Sequence, residues 1–439
     1  MEKNSLPAPS GSWLRAKPMV ALAIASAVVI LSLILAWYFQ KPNTTARIGL
    51  LHGLTGPLAM SETPMVEAEL LAIDELNRTG GVLGKKVEPV IADTASNSDV
   101  AIQRVEQLLA KEKVSVVVGC WTSACRKSVR PTIEQHNALL IYPMAFEGLE
   151  RSPNIIYTGA APNQQVLPAV NWAFENLGTR FFLIGSDYVW PHAVNAIVRD
   201  QIRALGGTVV GESYVPIGSL DARDAVNAIK AAKPDVILST IVGDSNPPLY
   251  QGFRQAGLSP RQSPIISFSI AEPEIQALPS ADVNGHYAAW AYFQAIPRNA
   301  NRAFVERFRQ KYGENRVVSD VMETAYFSVL LWARAVEQSG TLNPEEVNQA
   351  LLGMNLDAPE GIVTIDPATR HTWRSFHIGQ IEGNQSIRII WSADHPIRPI
   401  PYPASRSSIE WEHFLAALYN GWNKNWVNRR TIGATEPQE

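Results

Sequence analysis

The chain has 439 residues, room for two or three domains, and its 46% apolar and 18% charged content supplies a large core and argues against wholesale disorder. Net charge is −3 with no long basic run outside the two tails, which excludes nucleic acid as an expected partner. Two cysteines, Cys120 and Cys125, and eight scattered histidines give no zinc-type spacing, so neither a metal site nor a cofactor is expected.

Residues 18–40 carry no charged side chain, and 19–39 is apolar apart from Ser26 and Ser32. About 20 helical residues cross a hydrocarbon core. Residues 19–40 are therefore expected to be a transmembrane anchor, with Trp37, Tyr38 and Phe39 as an aromatic belt. Arg15 and Lys17 should keep residues 1–18 cytoplasmic and place the main domain in the periplasm, tethered to the inner membrane. The rival is a cleaved signal peptide, whose apolar stretch is about 7–15 residues and ends in a small-residue site. Here Ala25-Ser26-Ala27 lies in the middle of the run, and no cysteine follows it for a lipid anchor.

After a short linker, 41–46, short apolar runs alternate with helical patterns. Strands are expected near 47–52, 86–92, 114–119 and 138–142, with helices at 64–77, 99–112 and 123–136, the first capped by Thr63 with Pro64 as its first residue. Residues 148–165 form a turn-rich crossing. A second series places strands near 180–185, 207–215, 235–241, 264–269 and 285–292 and helices near 191–205, 222–232 and 247–257. Helices at 299–312, 321–338 and 345–353 follow, then β-structure over 361–395. The result is an α/β chain with two parallel-sheet lobes. The expected division is 47–159 plus 289–355 for lobe I and 160–288 plus 356–405 for lobe II. In the tail, 406–439, aromatic and leucine residues recur at helical spacing from Trp411 through Phe414, Leu415, Leu418, Tyr419 and Trp422 to Trp426, which predicts a helix that either docks on the body or meets a membrane or partner.

In open parallel sheets ligands bind beyond the carboxyl ends of the strands. The turns there offer Ser61, Glu62 and Thr63; Trp121, Thr122 and Ser123; Tyr142, Met144 and Phe146; Ser186, Asp187, Tyr188 and Trp190; and Asp244, Ser245 and Asn246. They form aromatic walls with hydroxyls and a few carboxylates, and Arg126 and Lys127 are the nearest cations. Phosphate sites use glycine-rich turns with basic groups, and no nucleotide motif occurs. A small neutral amide fits best: its N–H groups reach carboxylate and hydroxyl oxygens, its carbonyl accepts from hydroxyls or backbone N–H, and rings exclude water. Taken singly, Thr63, Ser123, Asp187 and Asp244 are helix caps and Trp121 and Trp190 are packing residues; only their joint occurrence at strand ends points to a site. No G-x-S-x-G or catalytic constellation is present, so no catalytic residue is expected. His52 at a strand end is expected to be packed. Cys120 is expected to be a buried free thiol, since a disulfide to Cys125 would have to span a strand–helix turn.

At these turns the sequence resembles the type 1 periplasmic binding proteins, in particular their urea and short-chain amide branch. The stretches that carry the resemblance are SETPMVEAELLAIDELNRTGGVLGKKV, GCWTSACRKSVRP, YPMAFEGLERSPNIIYTGAAPNQQ, IGSDYVWP, GDSN, Pro359-Glu360-Gly361 and PIRPIPY, in order across 47–403. The resemblance implies two lobes joined by three crossings that close over a small ligand, with contacts from Trp121, Ser123, Tyr142, Pro143, Met144, Tyr188 and Asp244. The turns themselves add Ser61 and Thr122. Urea-binding relatives carry a polar residue where Ala145 stands and a tyrosine where Phe146 stands. It further implies ABC permease subunits as partners and the coupled ATPase on other chains. The alternatives are an amide sensor of the same fold and a branched-chain amino acid-binding protein.

Overall fold

Short β-branched runs buried on both faces make parallel sheets, and helices between them cover those faces. The computed structural model describes residues 45–429 together with Ser26 and Ile30. The expected tail 1–18 and anchor 19–40 thus lie outside the described residues apart from Ser26 and Ile30. No helix among the described residues is long and apolar enough to cross a membrane.

The first lobe runs β1 (Thr45–His52), α1 (Ala59–Arg78), β2 (Lys86–Asp93), α2 (Ser98–Glu106) with a π-helical turn Gln107–Lys111, β3 (Val116–Gly119), α3 (Ser123–Gln135), β4 (Leu140–Tyr142) and β5 (Ile155–Tyr157). Its sheet has the order β2-β1-β3-β4-β5, and β1, β3, β4 and β5 pair in parallel. The second lobe contains α4 (Val166–Asn176), β6 (Arg180–Ser186), α5 (Val189–Ala204), β7 (Thr208–Val215), α6 (Arg223–Ala232), β8 (Val236–Thr240), α7 (Asn246–Gln255), β9 (Ile265–Ser267), α8 (Glu272–Ala277), α9 (Ser280–Val283) and β10 (Tyr287–Trp290). The chain then returns to the first lobe with α10 (Asn299–Tyr312), α11 (Asp320–Ser339) and α12 (Pro344–Leu351); α11 packs on α1 and β3. A small sheet of β11 (Asn355–Ala358), β12 (Gly361–Ile365) and β13 (Thr372–Trp373) follows. The hairpin β14 (His377–Ile381) and β15 (Ile387–Ser392) completes the second sheet, ordered β15-β14-β10-β9-β8-β6-β7, and α13 (Ser408–Gly421) ends the described elements.

Several elements differ from expectation for local reasons. Helix α1 starts at Ala59 rather than Pro64, so Thr63 is no cap and Ser61 and Glu62 ride on its first turns. Pro64 is then interior, where it lacks the N–H that would reach back one turn. Strand β5 forms inside the expected turn-rich crossing because Ile155, Ile156 and Tyr157 find the open edge of β4. Helix α4 was not expected; its Pro168 sits in the first turn, where no intrahelical donor is needed.

The chain passes between the lobes three times, and Arg374 ties the three passages together. Its guanidinium donates to the Thr158 carbonyl at 2.8 Å, to Thr324 Oγ1 at 2.9 Å and to Asp320 Oδ2 at 3.1 Å. Asp320 Oδ2 also accepts from the Tyr292 backbone N–H at 2.9 Å. Thr158, Tyr292 and Arg374 belong to the first, second and third crossings in turn. Glu323 and Glu360 complete the buried cluster. A buried arginine with several carboxylates is costly to desolvate, and removing one partner is strongly destabilising, so the three crossings are held at one point.

Candidate functional site

The turns after β1, β3 and β4 face those after β6, β8 and β9, and the lobes are closed on one another. Ser61 Oγ on α1 donates to Glu274 Oε1 on α8 at 2.7 Å, both groups buried. The Asp244 N–H donates to the Pro57 carbonyl at 3.1 Å. At the same contact Gly243 has φ +57°, and a Cβ there would stand 2.3 Å from the Pro57 oxygen. Only glycine allows the second lobe to come this close.

The β3–α3 turn is built from Cys120 to Ser123. Cys120 ends the strand with φ +62°, and Cys125 lies in the first turn of α3. That left-handed step brings the two sulfurs together, and they form a disulfide with Cα atoms 5.7 Å apart. The expected buried free thiol is therefore corrected: spacing alone hides the reversal that Cys120 makes. Thr122, not Ser123, caps α3, its hydroxyl accepting from the Cys125 N–H at 3.0 Å. Ser123 Oγ instead donates to Glu147, and the Tyr142 hydroxyl donates to the Trp121 carbonyl at 2.8 Å. Trp121, Thr122, Ser123, Tyr142, Pro143 and Met144 are all buried at this wall.

Tyr188 supplies the opposite wall from the N-terminus of α5 and is 2% exposed. Its phenol is held well above the ordinary range, first by burial and then by Tyr142, Glu147 and Glu62, against the pull of Arg126. The structure thus brings Tyr188 into the field of the first lobe's Tyr142–Glu147 wall. Asp244 is half-buried at the rim, joined to the site through its backbone rather than through a described side-chain contact. Asp187 is not a cap: it meets His192 Nε2 at 2.8 Å and accepts from Asn428 Nδ2 at 2.8 Å. Trp121 and Trp190 are buried with indole N–H groups that donate to no described residue.

The sequence named Arg126 and Lys127 as the nearest cations, inside a helix, but not their partners. Arg126 is fully buried against the Tyr142 and Phe146 rings, 4.7 and 4.5 Å from their centroids. It pairs with Glu147 and Glu150, each at 2.9 Å, and donates to Ser123 Oγ at 3.1 Å. Lys127 meets Glu150 at 3.0 Å and Glu147 at 3.4 Å. Burial opposes ionisation of Glu150, but Arg126, Lys127 and Arg130 prevail and hold it well below the carboxylate range. His52 is packed, as its position suggested, with Nε2 2.9 Å from Glu69 and Nδ1 3.5 Å from Glu62. Burial would lower its pKa, yet these carboxylates raise it to about 10, so the imidazole is protonated at neutral pH. The i, i+3 and i, i+4 spacing of Ser123, Arg126 and Lys127 on α3 was the available signal, since it puts the cations one turn behind the serine at the strand-end turn.

The periplasmic binding protein domain matches residues 46–408. Over 338 residues, 75% of this chain and 87% of the relative, the sequence is 25% identical to the leucine-, isoleucine-, valine-, threonine- and alanine-binding protein of Pseudomonas aeruginosa. A stretch of 117 residues, 27% of this chain, is 29% identical to limonene hydroxylase of Geobacillus stearothermophilus and spans 21% of that protein's length. Among solved structures, the fold resembles a solute-binding protein of an ABC transporter from Rhodopseudomonas palustris BisB5 in complex with 3,4-dihydroxybenzoic acid. That match has a TM-score of 0.73 at 22% identity and covers 81% of this chain and 99% of the other. With two parallel-sheet lobes, three crossings and a closed cleft between strand ends, the chain belongs to the periplasmic binding protein domain family, whose fold it shares with ABC transporter substrate-binding proteins.

Proposed function

We propose that this protein is an extracytoplasmic substrate-binding component that closes its lobes over a small neutral amide, urea or a short-chain amide, and hands it to an ABC permease. One observation carries the reading: His52, Arg126 and Lys127, the cations of the first lobe's wall, are each already held by two glutamates. A ligand carboxylate would have to break such a pair, which is costly when both partners are buried. A neutral amide makes no such demand. Its carbonyl can accept from indole or hydroxyl donors, and its N–H groups can donate to the oxygens of Ser61, Ser123 and Tyr188. Closure then works by preferential binding of ligand to the shut form, which shifts the population toward it.

A second reading rests on Glu274. This buried carboxylate meets Ser61 across the cleft and would suit the ammonium of an amino acid such as those named for the Pseudomonas relative. Calorimetric titration with urea, acetamide, formamide and leucine separates the two. Saturable heat with an amide, lost in Tyr188→Ala, supports the amide reading. Heat with leucine alone moves the ligand to the amino-acid class and overturns it.

A further inference from the structure

We infer that residues 423–429 form a strap that is carried by the second lobe and latches onto the first, holding the cleft shut. The strap lies beyond the family match, which ends at residue 408. It is anchored by α13, whose start is fixed by a capping box between Ser407 and Glu410. Arg406, just before it, grips Asp200 on α5 through two hydrogen bonds of 2.7 and 2.9 Å and lies over the Trp411 ring at 4.5 Å. Trp411 is fully buried, and its indole donates to the Pro403 carbonyl at 3.1 Å. The helix is therefore fastened to the second lobe.

After α13, Asn423 and Lys424 both take φ +56°, and the chain doubles back. Residues 426–428 then add a short antiparallel segment to the β6–α5 turn. The Val189 N–H donates to the Trp426 carbonyl at 2.9 Å, Tyr188 and Val427 form an isolated antiparallel bridge, and the Asn428 N–H donates to the Asp187 carbonyl at 3.1 Å. Trp426, Val427 and Asn428 thus hold the backbone on which Tyr188 stands.

Toward the first lobe the contacts are of a different kind. Lys127 Nζ sits 5.2 Å from the Trp426 ring centroid, and Arg429 donates to Asp99 at the start of α2 at 2.7 Å. A groove of about 200 Å³ at this mouth is lined by Pro57, Ser96 and Thr122 of the first lobe, Ile217 of the second, and Val427 and Arg429 of the strap. Backbone hydrogen bonds on one side and an exposed ion pair with a cation–π contact on the other make the attachment unequal. The strap moves with the second lobe and releases from the first when the cleft opens. Its latch meets the α3 lysine behind the proposed ligand wall and shares a groove with Thr122 of the β3–α3 turn.

The inference rests on lobe closure but not on the identity of the ligand, so its test uses ligand-free protein. Spin labels at Gln103→Cys on α2 and Leu220→Cys after β7 report the width of the cleft mouth in the full chain by pulsed electron resonance. Truncation after Trp422, and Arg429→Asp in the otherwise full chain, should each raise the open fraction several-fold. Adding Asp99→Arg to Arg429→Asp should restore the parental distance distribution. Where the truncated chain does not fold, Trp426→Ala and the charge swap decide. Distance distributions unchanged by Arg429→Asp and Trp426→Ala would overturn the latch. Absence of heat with every amide, by contrast, would count only against the ligand assignment.

Discussion

His52 illustrates how a residue at a strand end becomes structural. It is the last residue of β1, buried and flanked by Glu62 and Glu69 of α1, so it clamps α1, the helix that carries Ser61, to the sheet. Its pKa is raised to about 10 in the folded chain from an ordinary 6.5. The stabilisation from this clamp is complete below the unfolded value and is lost as pH climbs through the folded one. Melting temperature should therefore decline between about pH 7 and 10, and His52→Gln should flatten that limb while lowering the neutral-pH plateau. A variant with the parental alkaline slope would assign the loss to other groups. Glu150 works in the opposite sense: its depressed pKa stabilises above the ordinary value of 4.5 and is lost on acidification. Arg126 was legible as the nearest cation, but its pairing with Glu147 and Glu150 was not, because it reaches the wall only after α3 docks.

At the scale of elements, the β3–α3 turn is a stapled loop. The Cys120–Cys125 disulfide closes it around Trp121, Thr122 and Ser123, and the Thr122 cap fixes the helix start from inside. A loop this short carries a closure entropy of about 2 kcal/mol. Cys125→Ser should lower unfolding stability by roughly that amount in a denaturant titration and should weaken amide binding by several-fold. Equal affinity in the variant would separate the staple from the site. The pairing also fits an oxidising compartment, consistent with the periplasmic placement that the family indicates. Helix α1 teaches a similar lesson in reverse. Thr63-Pro64 has the local chemistry of a helix start, yet tertiary packing of Leu58, Met65 and Val66 against the core extends the helix to Ala59 and gains more than the missing Pro64 hydrogen bond costs.

At the scale of the molecule, the three crossings converge on Arg374, the place where a closing motion of the two lobes would pivot. We propose further that residues 19–40 tether this body to the inner membrane. The full chain should then sediment with membranes and resist extraction by carbonate, whereas a chain lacking residues 1–40 should be released into the periplasmic or soluble fraction. Release of the full chain by carbonate would remove the anchor. Because the linker 41–46 is short, a tethered body would keep its cleft close to any permease in the same membrane.

The pattern of apolar runs and helical periods was enough to determine the α/β class, the two lobes and the turns that meet between them. Period and burial are local properties written in each segment. Aromatic and hydroxyl residues at strand ends also nominated Trp121, Ser123, Tyr142 and Tyr188 as candidates, because parallel strands present their carboxyl ends on one side, and the fold gathers them at the cleft. Four features appeared only in the folded chain: the Cys120–Cys125 bond, the glutamate pairs around Arg126 and Lys127, the Ser61–Glu274 bridge and the strap against Tyr188. The bond turns on one left-handed residue. The others join groups on different elements, and for the Ser61–Glu274 bridge and the strap groups far apart in the chain. Such partners are chosen by how helices dock and lobes close, and no local period records that choice.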